Sequence, residues 1–105
     1  MIKISIARDY TDSPGGRFIT DGDYSGEEFR KKFLVPAMEK AILNNEDIVI
    51  DLDGCFGYPS SFINEAFAGL AKIYGKERVK EKLQFISLDQ PSLIGKIINE
   101  IEEIN

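Results

Sequence analysis

The sequence predicts an α/β domain with helices packed on a mainly parallel sheet, and three observations carry that expectation. The alternating run Ile2-Lys3-Ile4-Ser5-Ile6 has the period of two that marks a half-buried strand. Residues 47–52, nearly all apolar through Ile48-Val49-Ile50, suit a parallel strand covered on both faces. Long stretches of helical periodicity lie between and after these runs, so strands and helices alternate along the chain.

Each element follows in order. Residues 9–16, Asp-Tyr-Thr-Asp-Ser-Pro-Gly-Gly, are turn-rich and predict a surface loop. Arg17 to Thr20 reads as a second short strand closed by Asp21-Gly22. Ser25-Gly26-Glu27-Glu28 is a capping box, with a serine N-cap and an acid three residues on. The helix it starts buries Phe29, Phe33, Ala37 and Ala41, with Leu34, Met38 and Ile42 beside them. Pro36 removes one backbone donor and predicts a kink; Asn44-Asn45 ends the helix.

After the strand at 47–52, Ser61-Phe62 opens a second helix. Phe62, Ile63, Ala66, Phe67, Leu70, Ala71 and Tyr74 trace its buried side, and it stops at Gly75. The charged residues 76–82 predict a solvated connection with one turn pinned by Val79. Leu83, Phe85, Ile86 and Leu88 predict another strand. Pro91 starts a last helix with an apolar stripe of Leu93, Ile94, Ile97, Ile98, Ile101 and Ile104. The expected order is β-β-α-β-α-β-α, a four-stranded, mainly parallel sheet with right-handed crossovers.

Composition narrows the chemistry. At 105 residues, 43% hydrophobic and 30% charged, the chain fits one soluble globular domain spanning residues 1–105. A net charge of −5 argues against nucleic acid as a partner, while leaving room for a local basic patch. The single cysteine, Cys55, forms no internal disulfide and fits a reducing compartment. No segment reads as a signal peptide or membrane span, so the expected location is cytoplasmic, with no membrane partner. The absence of histidine removes Ser-His-Asp and Cys-His arrangements and histidine-rich zinc sites. No glycine-rich segment ends in Gly-Lys-Ser/Thr, so no P-loop is present. No cofactor is expected.

The working corner of an open α/β sheet lies where a strand ends and the next helix begins. Here that corner runs from Ile50-Asp51-Leu52-Asp53-Gly54 to Ser60-Ser61-Phe62. A helix N-terminus favours negative charge, so a serine there serves as a cap, an anion ligand or a phosphate acceptor. Asp51 and Asp53 share a strand face; with Asp9 they suit either Mg²⁺ or the capping of turns. Arg17, following Gly15-Gly16, suits an anion or an ion pair with Asp51.

Several of these residues together resemble a known family. Gly16-Arg17-Phe18, Asp21-Gly22, Ser25-Gly26-Glu27-Glu28-Phe29-Arg30, Ile50-Asp51-Leu52-Asp53-Gly54, and Ser61-Phe62 with Glu65-Ala66-Phe67 follow the order of a STAS-like family of unknown function. That family is related to the STAS domain of sulfate transporters and anti-sigma-factor antagonists. In anti-sigma antagonists this corner carries Asp-Ser-Ser-Gly, and a kinase-like ATPase phosphorylates the first serine. The resemblance places that serine at Ser60 and the second at Ser61; Pro59 stands for the aspartate and Phe62 for the glycine. It implies a non-enzymatic regulatory module that docks such an ATPase through residues Tyr58 to Phe62. The alternative is a nucleotide or small-anion sensor using Arg17 and the donors near Ser60 and Ser61. A third possibility is a metal-dependent enzyme built on Asp51 and Asp53. If Ile101 and Ile104 stay exposed, they also offer a homodimer contact.

Overall fold

The computed structural model describes residues 1–105. Three parallel strands form one sheet in the order β1-β2-β3: β1 is Ile2–Ser5, β2 is Ile48–Asp51 and β3 is Leu83–Ile86. The register aligns Ile4, Ile50 and Phe85 in one row and Lys3, Val49 and Gln84 in the next, on the opposite face. Ile4 and Ile50 belong to the hydrophobic core and Phe85 packs against it, whereas Val49 is buried outside that core. Its neighbours in the row, Lys3 and Gln84, are both exposed. The sheet is therefore packed on one face and polar on the other. This corrects the expectation that β2 is covered on both sides.

The strand expected at Arg17–Thr20 is absent, which leaves three strands instead of four. Side chains claim the backbone donors that a ladder would need. Asp21 accepts from Phe18 N at 2.9 Å, and Glu27 accepts from Ile19 N at 2.9 Å. The segment closes into a single 3₁₀ turn, Ile19–Asp21.

The first helical run starts at its expected cap, where the Ser25 hydroxyl accepts from Glu28 N at 3.0 Å. It comprises α1 (Gly26–Phe29), a wide π segment (Arg30–Leu34) and α2 (Val35–Asn44). Val35 N donates to Arg30 O, one residue beyond the usual partner, just ahead of Pro36. The disturbance expected at Pro36 thus takes the form of a widened turn preceding the ring. Asn45, in the left-handed region at φ 52°, ends the run.

The second run comprises α3 (Ser60–Ile63), another π segment (Asn64–Ala68) and α4 (Gly69–Tyr74), and it stops at Gly75 with φ 91°. Residues 76–82, expected as a connection, form the complete helix α5 (Lys76–Lys82), which buries Val79. Lys80 pairs with Glu77 and with Glu102 of α6 (Ser92–Glu102), fixing α5 to its neighbour. Leu88 lies beyond β3 and is exposed, another departure from the expected strand. Ile101 is fully buried and Ile104 packs against the core, so both are turned inward. The exposed pair expected for a dimer contact is not present.

The two helical runs approach closely because glycines stand at their contacts. A Cβ on Gly26 would lie 2.5 Å from Phe62 O, and one on Gly69 would lie 2.5 Å from Arg30 Nη1. Phe29 fills the space between the runs, 5.9 Å from Phe62 and 5.2 Å from Tyr10. This crossing sets the start of α3 beside the start of α1, at the C-terminal end of the sheet.

Candidate functional site at the C-terminal corner of the sheet

Three loops meet at this corner and are tied by their backbones. Asp51 Oδ1 accepts from Asp53 N at 3.0 Å, closing a turn as β2 ends. Asp53 Oδ1 accepts from both Leu88 N and Asp89 N, at 2.8 and 2.9 Å. Asp89 Oδ2 accepts in return from Gly54 N at 3.0 Å. On the other side, Phe56 N donates to Asp12 O at 2.9 Å and the Cys55 thiol to Thr11 O at 3.4 Å. Gly54 has φ 91° and sits so close to Ala7 that an added Cβ would come within 3.1 Å of it.

These contacts decide the role of the paired acids. Asp51 and Asp53 hold backbone N–H groups, and Asp9 accepts from Ser5 N at 2.8 Å. No group of three acidic or cysteine side chains is placed to hold a metal ion. The turn-capping alternative is the one the geometry realises.

Tyr58 underpins the loop. Its hydroxyl donates to Leu52 O at 2.8 Å and lies 3.1 Å from Cys55 Sγ. Burial, more than the neighbouring thiol, pushes the Tyr58 pKa well above the ordinary tyrosine value. Burial likewise raises the Cys55 thiol, against a smaller opposing effect of the Tyr58 hydrogen bond. A raised thiol pKa keeps Cys55 protonated and unreactive at neutral pH. Phe62 is wholly buried, stacked on Phe29 and 6.1 Å from the Tyr58 ring. Phe62 thus supports the corner from beneath and forms no part of its outer surface, whereas Tyr58 is half-buried.

The serines are placed otherwise than a cap requires. Pro59 is the N-cap residue of α3 and has no side-chain acceptor, so Ser60 and Ser61 occupy the first two helical positions. Ser60 is exposed and Ser61 half-buried. The first-turn N–H groups of α3 therefore have no side-chain cap, and the Ser60 hydroxyl stands free. Two large apolar side chains project at the same corner: Phe56 is 88% exposed and Leu88 is 82% exposed. Sequence reasoning missed both. Phe56 stands between Cys55 and Gly57 in a loop, where no periodicity marks a direction, and Leu88 continues the apolar pattern of a strand.

Arg17 is placed one helical turn further along, away from Asp51. Its Nη1 donates to Asn64 Oδ1 at 2.7 Å and lies 3.5 Å from Glu65 Oε1. Arg30 takes the other oxygen of Glu65 at 2.7 Å and also the Glu65 carbonyl at 2.6 Å. The ion pair imagined with Asp51 is replaced by this shared one, because the loop at 11–25 lies along the flank of α3.

A one-sided parallel sheet, flanking helices and a strand–loop–helix corner with two serines define a small α/β domain of STAS-like fold. The chain belongs to the STAS-like domain family of unknown function, whose model matches residues 25–93. The matched span runs from the Ser25 cap to Leu93 and includes the whole 52–62 corner; Arg17 lies outside it. No curated protein and no solved structure matches the chain. No helix is long and apolar enough to cross a membrane.

Proposed function

We propose that this chain is a non-enzymatic regulatory module that docks a protein partner at the C-terminal corner of the sheet, under control of Ser60. The observation that carries this reading is the free, exposed Ser60 hydroxyl at the first position of α3, uncommitted to capping. Phe56 and Leu88 supply large apolar anchors at the same corner, held by the Asp53 and Asp89 backbone contacts. The backbone that carries them is fixed, so little loop entropy is lost on binding. The resemblance of the corner to that of anti-sigma-factor antagonists suggests a kinase-like ATPase of the anti-sigma type as the partner. That ATPase would transfer the γ-phosphoryl group of ATP to Ser60 Oγ, with loss of the hydroxyl proton and release of ADP.

A phosphate adds about −1.5 to −2 charges. At the start of α3 the free N–H groups tolerate it, so folding survives. In a docking face built on apolar anchors, the same charge disfavours docking through desolvation. Ser60→Asp should therefore remain folded and lose partner binding, and Phe56→Asp with Leu88→Asp should do the same without touching the serine. Affinity capture from native extract, comparing wild type with these variants, tests the reading. If wild type and Ser60→Asp recover the same partner equally, Ser60 is not the switch. If no partner depends on Phe56 or Leu88, the corner is not the docking face.

A further inference from the structure

We propose that a groove on the flank of the second helical run, separate from the docking corner, binds a tetrahedral oxyanion of the phosphate type. The groove has a volume of about 120 Å³ and is lined by Arg30, Asn64, Glu65, Gly69, Lys72 and Ile73. That space admits a phosphate group with several waters.

Its walls offer donors and few free acceptors. An arginine can only donate, so the Asn64 atom facing Arg17 Nη1 at 2.7 Å is the amide oxygen. Asn64 lines the groove, and its NH₂ group has no hydrogen-bond partner within the chain. Glu65 is the only acid in the lining, and both of its oxygens face arginines, Arg30 at 2.7 Å and Arg17 at 3.5 Å. One carboxylate thus serves two guanidinium groups. Lys72, the second cation of the lining, makes no ion pair within the chain. The lining is net positive on a molecule whose total charge is −5. Arg30 is only 12% exposed, so its charge is screened less by solvent than that of a surface lysine.

Gly69 keeps the groove open. A side chain there would meet Arg30 Nη1 at 2.5 Å and push the guanidinium out of place. Planar carboxylates match one guanidinium, whereas a tetrahedral dianion uses donors from Arg30, Lys72 and Asn64 together. The shared chemistry is a phosphate oxyanion, either free or carried on a phosphorylated side chain of a partner.

The test is a titration of the full chain at constant ionic strength, followed by ¹H–¹⁵N spectra, with inorganic phosphate, O-phosphoserine and acetate as separate arms. With phosphate, the Asn64 side-chain amide and the backbone amides around Gly69 to Ile73 should shift and saturate. Lys72→Glu, a surface change that leaves the core signals in place, should weaken binding by about tenfold or more. Tighter binding of O-phosphoserine would identify a phosphorylated side chain as the source, and equal binding would identify free phosphate. Shifts that do not saturate, or that saturate alike in wild type and Lys72→Glu, would overturn the site. Saturation by acetate as readily as by phosphate would overturn the tetrahedral assignment. The measurement needs no protein partner, so its result is independent of whether the corner docks one.

Discussion

Tyr58 and Ser60 are close in sequence and opposite in commitment. The tyrosine hydroxyl is bound to Leu52 O inside the loop, while the serine hydroxyl is free at the surface. Tyr58→Phe removes that bond from a partly buried carbonyl and should lower stability by about 1 kcal/mol in denaturant melts. The pH dependence follows from its raised pKa and that of Tyr10, both raised chiefly by burial. A group whose pKa rises on folding contributes stability that is complete below its unfolded value, here 10.0, and lost as pH climbs through the folded value. Midpoints should therefore hold at neutral pH and fall above 10.0, less steeply in Tyr58→Phe. Ser60→Ala and Ser61→Ala should each leave stability within about 0.5 kcal/mol, since neither hydroxyl caps α3. A loss of about 1 kcal/mol in either would mean that it does cap the helix. The sequence showed both hydroxyls at the right corner. It hid their role because Pro59, fixed in φ and lacking a side-chain acceptor, takes the cap position itself.

Helices carried most of what could be read from sequence, because periodicity and capping act locally. Ser25 fulfils its expected cap and is also wholly buried, so Ser25→Ala should destabilise by about 1 kcal/mol or more. Two glycine substitutions separate packing from propensity. Gly26→Ala forces a methyl group against the Phe62 backbone and should cost about 1–3 kcal/mol. Gly95→Ala, inside α6 with open space around it, should stabilise by about 0.8–1.0 kcal/mol. Equal midpoints for the two variants would refute the close approach of α1 to α3. Misreadings occurred where side chains from elsewhere in the chain decide. The segment from Arg17 to Thr20 looks like a strand until Asp21 and Glu27 take its N–H groups. The run from Lys76 to Lys82 looks like a solvated link until Val79 enters the core and Lys80 reaches Glu102. The Arg17–Glu65–Arg30 cluster was illegible for the same reason, since it joins residues far apart in sequence.

At the scale of the molecule, surface charge sets the response to acid. Hydrogen bonds to Lys31, Lys32, the N-terminal ammonium group and Lys80 hold Glu27, Glu28, Glu46 and Glu102 below the ordinary glutamate value of 4.5. A carboxylate depressed on folding contributes stability above its unfolded value and loses it as pH falls through the folded one. Thermal midpoints should therefore decline below 4.5, and less so in high salt, because all four groups are at the surface. A midpoint indifferent to acid would remove these pairs from the account of stability. The fold class was legible because alternation of strand and helix is a property of the whole chain; the polar face of the sheet was not, since Val49 on that face makes β2 read as a covered strand. The strand order has a kinetic consequence. Ile2 pairs with Ile48 and Ile48 with Leu83, so no two neighbouring strands are joined by a tight hairpin. Each pairing must wait for a long loop to close, which slows folding relative to a hairpin-built sheet. On the ribosome, β1 is synthesised first and stays unpaired until β2 has emerged, while the intervening helical run already has the local signals to form. Its short, lysine-bearing sequence is suited to that interval, offering little apolar edge to a neighbouring nascent chain.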